Sequence, residues 1–338
     1  MSYTPPTLSI IIPFYNEADN IETLFARLCT VLEQCGESYE IVCIDDGSRD
    51  DTLARLLEKR QEIPGVRIFE LARNFGKEAA MTVGLDHMRG LAAIPLDSDL
   101  QDPPELIPEM VTRWRQGYEV VLAQRTDRQS DTLPKRMTAA AFYRLHNRIS
   151  EVRIPQNVGD FRLMDRVVVE AIRPLREQER FMKGIFSWPG FKQTTISYAR
   201  EARHQGATKW NYWKLWNFAI DGITSFSTAP LRFWTYLGVV VSLSAFVYAL
   251  IVIIKTLIFG VDTPGYASLV VIMLFLGGLQ FISLGIIGEY VGRIHSEVKG
   301  RPIYVLRSVH EDAGAEEVTV SESAFHGGAK EQDGGRLA

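Results

Sequence analysis

Residues 91–105, LAAIPLDSDLQDPPE, decide how the chain is read. An apolar run from Leu91 to Leu96 stops at Asp97-Ser98-Asp99; Gln101 follows, then Asp102-Pro103-Pro104-Glu105. A short apolar run bounded by turn residues predicts a buried strand. The paired prolines suit the first turn of a helix, where a backbone N–H is not needed. Asp97 and Asp99 therefore stand at the carboxyl end of a strand, where open α/β sheets bind ligands. With one residue between them, both can reach one hard cation, and Gln101 can add a third oxygen. Mg²⁺ and Mn²⁺ favour oxygen ligands and share them with substrate phosphates. An acidic turn that caps the next helix would look the same in isolation.

Outward from this stretch, strand-like and helix-like segments alternate from residue 8 to 125. Strands are expected at Leu8–Ile12, Tyr39–Ile44, Val66–Leu71, Leu91–Leu96 and Glu119–Ala123. The alternation predicts an α/β fold, a mostly parallel sheet with flanking helices. The polar motifs Pro13 to Glu17, Asp45-Asp46-Gly47-Ser48, Arg73 to Lys77, Asp97 to Gln101 and Arg125 all follow strands, so they are expected on one rim. No G-x-G-x-x-G follows the first strand. Gly76-Lys77 is not a Walker loop, because Leu71 stands in place of the first Gly and Glu78 follows the Lys. A nucleotide can still bind if a metal at Asp97/Asp99 holds its phosphates, and an Asp at the second strand end can accept from a base N–H. For Asp45 to Ser48 an ordinary turn and helix cap is the alternative.

Further along, Leu133–Ile149 reads as a basic helix carrying Lys135, Arg136, Arg144 and Arg148, and Asn157–Arg162 as a loop that can face the site. Arg203 to Lys209, with Gly206 between the cations, reads as a mobile loop over an anion or equally as a solvated charge cluster. Trp210, Trp213 and Trp216 recur every third residue. Trp favours the headgroup level of a bilayer, so 210–230 is expected as an interfacial helix, with a soluble core helix as the alternative.

Length and charge bound the rest. The 338 residues allow about two structural units, and a net charge of -4 gives no case for nucleic acid as a partner. Cys29, Cys35 and Cys43 form no paired or metal-ligand pattern, which fits a reducing cytosolic face. The N-terminal stretch lacks the pattern of a signal peptide. Phe233 to Ile254 and Thr263 to Gly288 run without a charged residue, each long enough to cross a hydrocarbon core, which takes about 20 residues. Lys209, Lys214 and Arg232 precede the first run; Arg293, Lys299, Arg301 and Arg307 follow the second. The positive-inside rule then puts both ends in the cytoplasm. From about residue 310 the Gly-rich acidic tail is expected to be disordered.

The chain resembles the membrane-bound polyprenyl-phosphate glycosyltransferases of glycosyltransferase family 2, bacterial undecaprenyl-phosphate glucosyltransferases among them, and more distantly dolichol-phosphate mannose synthases. The resemblance covers roughly residues 8 to 307. Its carriers are IIPFYNE at 11–17, IDDGSRDDT at 44–52, LARNFGKEAAMTVGLD at 71–86, LDSDLQDPPELIPEM at 96–110, GDFRLMDR at 159–166 and RHQGATKW at 203–210. It implies a glycosyltransferase A type nucleotide-sugar-binding domain over 1–209, the interfacial helix, a two-helix transmembrane region over 231–292 and a cytoplasmic segment over 293–338. It implies Pro13, Tyr15, Glu17, Asp45 and Asp46 around the nucleoside, with Lys77 and Arg125 in the nucleotide-binding set. Asp97, Asp99 and Gln101 would hold Mg²⁺ or Mn²⁺ and the diphosphate. Arg136, Arg162, Arg203 and Lys209 are the acceptor-phosphate candidates, and Asp160 is an orienting group rather than an obligate base. The implied reaction is inverting transfer of one sugar, glucose foremost, from a nucleotide diphosphate sugar to a polyprenyl phosphate on the cytoplasmic face of a bacterial inner membrane; a homo-oligomer is allowed. Processive polysaccharide synthases carry Q-x-x-R-W, whereas here Arg113-Trp114 stands too early with Met110 at the Gln position, so a polymerase is disfavoured. A non-catalytic membrane-anchored nucleotide-binding regulator and a structural membrane adaptor are the rival classes.

Overall fold

The computed structural model describes residues 4–126, 158–178, 180–198, 229–259 and 265–311. The basic helix expected at 133–149, the cationic loop at 203–209, the Trp210/Trp213/Trp216 stripe and the tail from 312 lie outside these residues. The chain divides into two units. Among the described residues, the first takes everything up to Tyr198 together with 301–311, and the second takes 229–300.

The first unit is built on one eight-stranded sheet. Its strands are β1 (Leu8–Phe14), β2 (Tyr39–Asp45), β3 (Val66–Leu71), β4 (Ala92–Pro95), β5 (Val120–Arg125), β6 (Val158–Asp165), β7 (Gln193–Tyr198) and β8 (Leu306–His310), in the order β7-β5-β6-β4-β1-β2-β3-β8. The pairings β1/β2, β1/β4, β2/β3 and β5/β7 are parallel, while β6 and β8 run against their neighbours. All of β1 and β4 is buried, and all of β2 but Tyr39. Strands covered on both faces read as continuous apolar runs rather than alternating ones, which is why LSIIIPF and YEIVCID are legible as strands.

The helices are α1 (Ile21–Cys35), α2 (Thr52–Glu62), α3 (Lys77–His87), α4 (Ile107–Arg115), α5 (Arg166–Ile172) and α6 (Met182–Ser187). In α1 the buried set Ile21, Leu24, Phe25, Leu28, Val31 and Leu32 follows the helical period. The helix stops at Gly36, whose φ of 69° is left-handed. Helix α3 lies so close to the sheet that a Cβ on Gly84 would sit 2.1 Å from Ile11 Cγ2.

Two elements differ from the expectation. Residues 158–162 of the expected loop belong to a strand, β6. Gly159, Asp160 and Arg162 break its apolar pattern, but Val158, Phe161, Leu163 and Met164 are buried. Residues 306–310 form the edge strand β8 on β3, so the segment after the helical region rejoins the sheet. It covers an edge that would otherwise present unpaired backbone groups.

The second unit contains α7 (Ala229–Phe259, 31 residues) and α8 (Tyr266–Val298, 33 residues). Large apolar side chains stand exposed along both, including Leu243, Phe246, Leu257, Phe275 and Phe281. Among the described residues, one helical stretch, Phe275–Val298, is long and apolar enough to cross a membrane; Tyr236–Tyr248 is a shorter apolar stretch. Of the two spans expected from sequence, one meets that criterion.

Candidate active site

The rim at the carboxyl ends of β1, β2 and β4 collects the motifs. Past Phe14, Tyr15 is exposed, and the following turn is laced to the turn after β2. Asn16 N–H donates to Ser48 Oγ at 3.0 Å, Arg49 N–H to Asn16 Oδ1 at 2.8 Å, and Glu17 N–H to Thr52 Oγ1 at 3.0 Å. Pro13 lies within β1, level with Ile44. Asp45 and Asp46 are both buried. Burial raises the pKa of each, against hydrogen bonds from Ser48 for Asp45 and from Phe75 and Gly76 for Asp46.

Asp46, expected at the nucleoside, has a structural part as well. Its two oxygens accept the backbone N–H groups of Phe75 at 2.7 Å and Gly76 at 2.9 Å. It thereby fixes the loop after β3 and sets where α3 begins. Gly47 makes that approach feasible: its φ is 66°, and a Cβ there would meet the Arg73 carbonyl carbon at 2.6 Å. The first residue of α3 is Lys77, whose Nζ lies 2.7 Å from Asp97 Oδ1, 2.9 Å from Asp97 Oδ2 and 2.7 Å from Asp160 Oδ2.

Sheet register explains how Asp160 arrives there. Ala92 pairs with Asp165 and Ala93 with Met164; continuing that antiparallel register beyond β4 brings Asp160 level with Asp97. Burial works against the Lys77 ammonium, but Asp97 and Asp160 outweigh it and hold its pKa above the ordinary lysine value. Burial raises Asp97, with Asp160 and Asp102 adding to the rise against Lys77. Asp160 is held low: Lys77, Lys183 and Arg162 together overcome its burial.

The acidic loop itself is bent at Leu100, a non-glycine residue with φ of 59°. A bulky residue in this region is strained and persists only where the surroundings impose it. Here the Leu100 side chain is buried in the core, so core packing forces the turn between Asp99 and Gln101. Asp99 Oδ1 accepts the Gln101 N–H at 3.2 Å.

Sequence reasoning missed a second network behind the loop. Asp102 is buried and accepts the Tyr198 hydroxyl. Arg125 Nε donates to Tyr198 Oη at 3.1 Å, and Arg125 Nη2 lies 3.5 Å from Asp102 Oδ1. Arg125, expected at a phosphate, thus braces the acidic loop. Its signal was present in the quoted stretch, where Asp102 passed for a helix-turn residue, but Tyr198 sits almost a hundred residues away in sequence. Arg162 is also buried; its Nη2 donates to the Gly159 carbonyl at 2.7 Å and its guanidinium lies 4.5 Å from the Phe186 ring centre. Burial pushes its pKa down to about 10. Lys183, with Arg180 nearby, adds positive charge around Glu78, and neither was singled out from sequence. Arg136, Arg203 and Lys209 lie outside the described residues.

With this geometry in hand, relatives identify the chain. The glycosyl transferase family 2 profile matches residues 9–173. An uncharacterized glycosyltransferase of Synechocystis is 57% identical over 299 residues, covering 88% of this chain and 94% of its own length. The chain belongs to glycosyltransferase family 2. Residues 229–294 of this family 2 member match the GtrB C-terminal hairpin. A bactoprenol glucosyl transferase of Shigella flexneri, derived from prophage SfII, is 48% identical over 303 residues, covering 90% of this chain and 98% of its own. A prophage bactoprenol glucosyl transferase homolog of Escherichia coli K12 is 48% identical over 302 residues, covering 89% and 99%. Among solved structures, Staphylococcus aureus TarS 1–349 in complex with UDP-GlcNAc aligns with a TM-score of 0.41 at 16% identity, over 60% of each chain.

Proposed function

We propose that this family 2 glycosyltransferase moves one glucosyl group from a nucleotide diphosphate glucose to a polyprenyl phosphate of the bactoprenol type, with inversion, at the cytoplasmic face of a bacterial inner membrane. The observation that carries the reading is the 48% identity, over nearly the whole of both chains, to a bactoprenol glucosyl transferase. The site offers the chemistry that such a transfer needs.

Asp97 and Asp99 are hard oxygen donors, and the Lys77 ammonium held between Asp97 and Asp160 marks a position built for positive charge. Among the described residues no three His, Cys, Asp or Glu are grouped to hold an ion alone. The donor set therefore fits Mg²⁺ or Mn²⁺ as an ion that takes its remaining ligands from the diphosphate, with Asp97, Asp99 and Gln101 as the protein's share. When bound, such an ion supplies charge stabilisation to the departing diphosphate.

The acceptor is a phosphate monoester with a second pKa near 6, so it is largely a dianion at neutral pH. Its oxygen forms the new bond to the anomeric carbon as the bond to the diphosphate breaks, and no base has to remove a proton. A carboxylate held low, as Asp160 is, would be a poor base; its place against Lys77 suits it to orient charge. Tyr15, Asp45 and Asp46 stand at the nucleoside end of the rim, and Pro13 and Glu17 shape the turn beside them. Arg203, Lys209 and Arg136 are the proposed cations for the acceptor phosphate. Arg162 acts from behind, holding the carbonyl of Gly159, the residue before Asp160.

Strand β8 supports the topology. The chain leaves the sheet at Tyr198 and is back in it at Leu306, so the segment between crosses a membrane an even number of times. At about 1.5 Å per residue, both long helices exceed a core of about 30 Å, and two crossings with both chain ends cytoplasmic is the reading.

The test is transfer of labelled glucose from UDP-glucose into extractable lipid by purified protein with undecaprenyl phosphate, with and without EDTA. Label in lipid that is lost with EDTA and with Asp97→Asn supports the proposal. Undiminished transfer by Asp97→Asn in excess EDTA overturns the metal assignment, and no transfer with any nucleotide sugar overturns the reaction.

A further inference from the structure

Lys77 occupies the ground that a divalent ion needs. Its Nζ is within 2.9 Å of both Asp97 oxygens and 2.7 Å from Asp160 Oδ2. Mg²⁺ sits about 2.0–2.1 Å from its oxygen ligands, so an ion entering on the side of Asp97 that the ammonium occupies would meet a like charge at close range. On that side of the carboxylate the two compete. The backbone of Lys77 is fixed, because Asp46 pins Phe75 and Gly76 just before it. The side chain is a flexible four-carbon stem, 41% exposed, so it can move while its anchor stays.

We propose that Lys77 is a resident counter-cation: it competes with the divalent ion for Asp97 and passes to the diphosphate oxygens when ion and nucleotide enter together. The proposal rests on the metal-assisted transfer described above and adds an order to it. The ion alone must eject an ammonium that gains no new partner. The ion with a nucleotide diphosphate ejects an ammonium that does. Ion and nucleotide therefore bind cooperatively, and reciprocally so by linkage, with Lys77 as the coupling group.

The experiment measures Mn²⁺ binding by the loss of the free-ion electron paramagnetic resonance signal. It uses the full chain in nanodiscs, with Mn²⁺ alone and with Mn²⁺ plus UDP. In the wild type UDP should tighten Mn²⁺ binding by about tenfold or more. In Lys77→Met, Mn²⁺ alone should bind about tenfold tighter than in the wild type, and the enhancement by UDP should shrink towards none, while glucosyl transfer falls. Lys77→Arg, which keeps the positive charge, should keep the weak binding of Mn²⁺ alone. Unchanged or weaker Mn²⁺ binding by Lys77→Met, with binding still lost in Asp97→Asn, overturns the competition and leaves the metal site standing. Absence of Mn²⁺ binding in all variants even with UDP overturns the metal reading and the Lys77 proposal together. A wild-type measurement guards against a misfolded variant: acetylation of Lys77 by N-hydroxysuccinimide acetate, read by mass spectrometry, should rise with Mn²⁺ and fall again when UDP is added. Labelling indifferent to both would also overturn the proposal.

Discussion

Tyr198 donates its hydroxyl to Asp102, tying the last residue of β7 to the acidic loop after β4. Arg125 holds both of them. Tyr198→Phe leaves the buried Asp102 carboxylate one donor short, which costs about 1–3 kcal/mol. The expected outcome is a lower unfolding temperature and a fall in transfer of about tenfold, because the loop carrying Asp97, Asp99 and Gln101 loses its brace. Thermal unfolding and lipid labelling on one preparation check this. Wild-type values in both would mean that the Tyr198 hydroxyl is no brace and that Arg125 and Leu100 suffice to hold the loop.

Glu78 gives a pH signature. Burial, aided by Asp160, raises it from 4.5 to about 7 against Lys77, Lys183 and Arg180. Its folded pKa lies above its unfolded one, so its contribution to stability is complete below about 4.5 and is lost as pH rises through about 7. Glu78→Gln keeps a neutral side chain at every pH. The melting temperature of Glu78→Gln minus that of the wild type should therefore grow from about pH 5 to 7 and level off above. A constant difference would show that Glu78 is already ionised throughout.

A third expectation concerns the opposite end of the sheet. Arg67 lies between Glu40, at 2.8 Å, and Glu311 of the C-terminal segment, which also meets Arg89 at 2.7 Å. Glu40 also accepts Ser9 Oγ and the Arg89 N–H, both at 2.5 Å. Removing one partner of a buried ion pair costs about 3–5 kcal/mol, so Glu40→Ala should unfold much of the protein at growth temperature. Glu311→Ala should cost less, about 1–3 kcal/mol, because Arg67 keeps Glu40. Denaturation midpoints of the two variants rank them.

Sidedness is checked from outside the cell. A cleavable tag after Ala338 should resist protease added to spheroplasts, whose inner membrane is bared but sealed, and be cut once that membrane is opened. Cleavage in sealed spheroplasts would contradict the return of the chain at β8.

The central sheet was legible because β1, β2 and β4 are buried along nearly their whole length, so each is a short, mostly apolar run between turn residues. The rim followed from it: Asp97, Lys77 and Asp46 all stand just past such runs. What escaped depends on long-range pairing. Strand β6 carries Asp160 and Arg162 inside its own span, and no local period marks it; only the register with β4 places Asp160 beside Asp97. Strand β8 lies beyond two long apolar helices, so its partner β3 could not be read from its neighbourhood. The resemblance put Arg125 in the nucleotide-binding set and Arg162 among the acceptor-phosphate candidates, but it could not show what packs around them. Their burial, with Tyr198 in one case and Phe186 in the other, is set by side chains far away in sequence.

Strand β8 is also the last part of the sheet to be made. While the ribosome is still producing the two long helices, β3 has an open edge and Arg67 has Glu40 as its only carboxylate partner of the pair. Residues 306–311 emerge after both helices. If the chain crosses the membrane twice as proposed, the sheet is completed only by a copy whose end has come back to the side where it began, and a copy with its hairpin wrongly inserted keeps an unfinished edge strand.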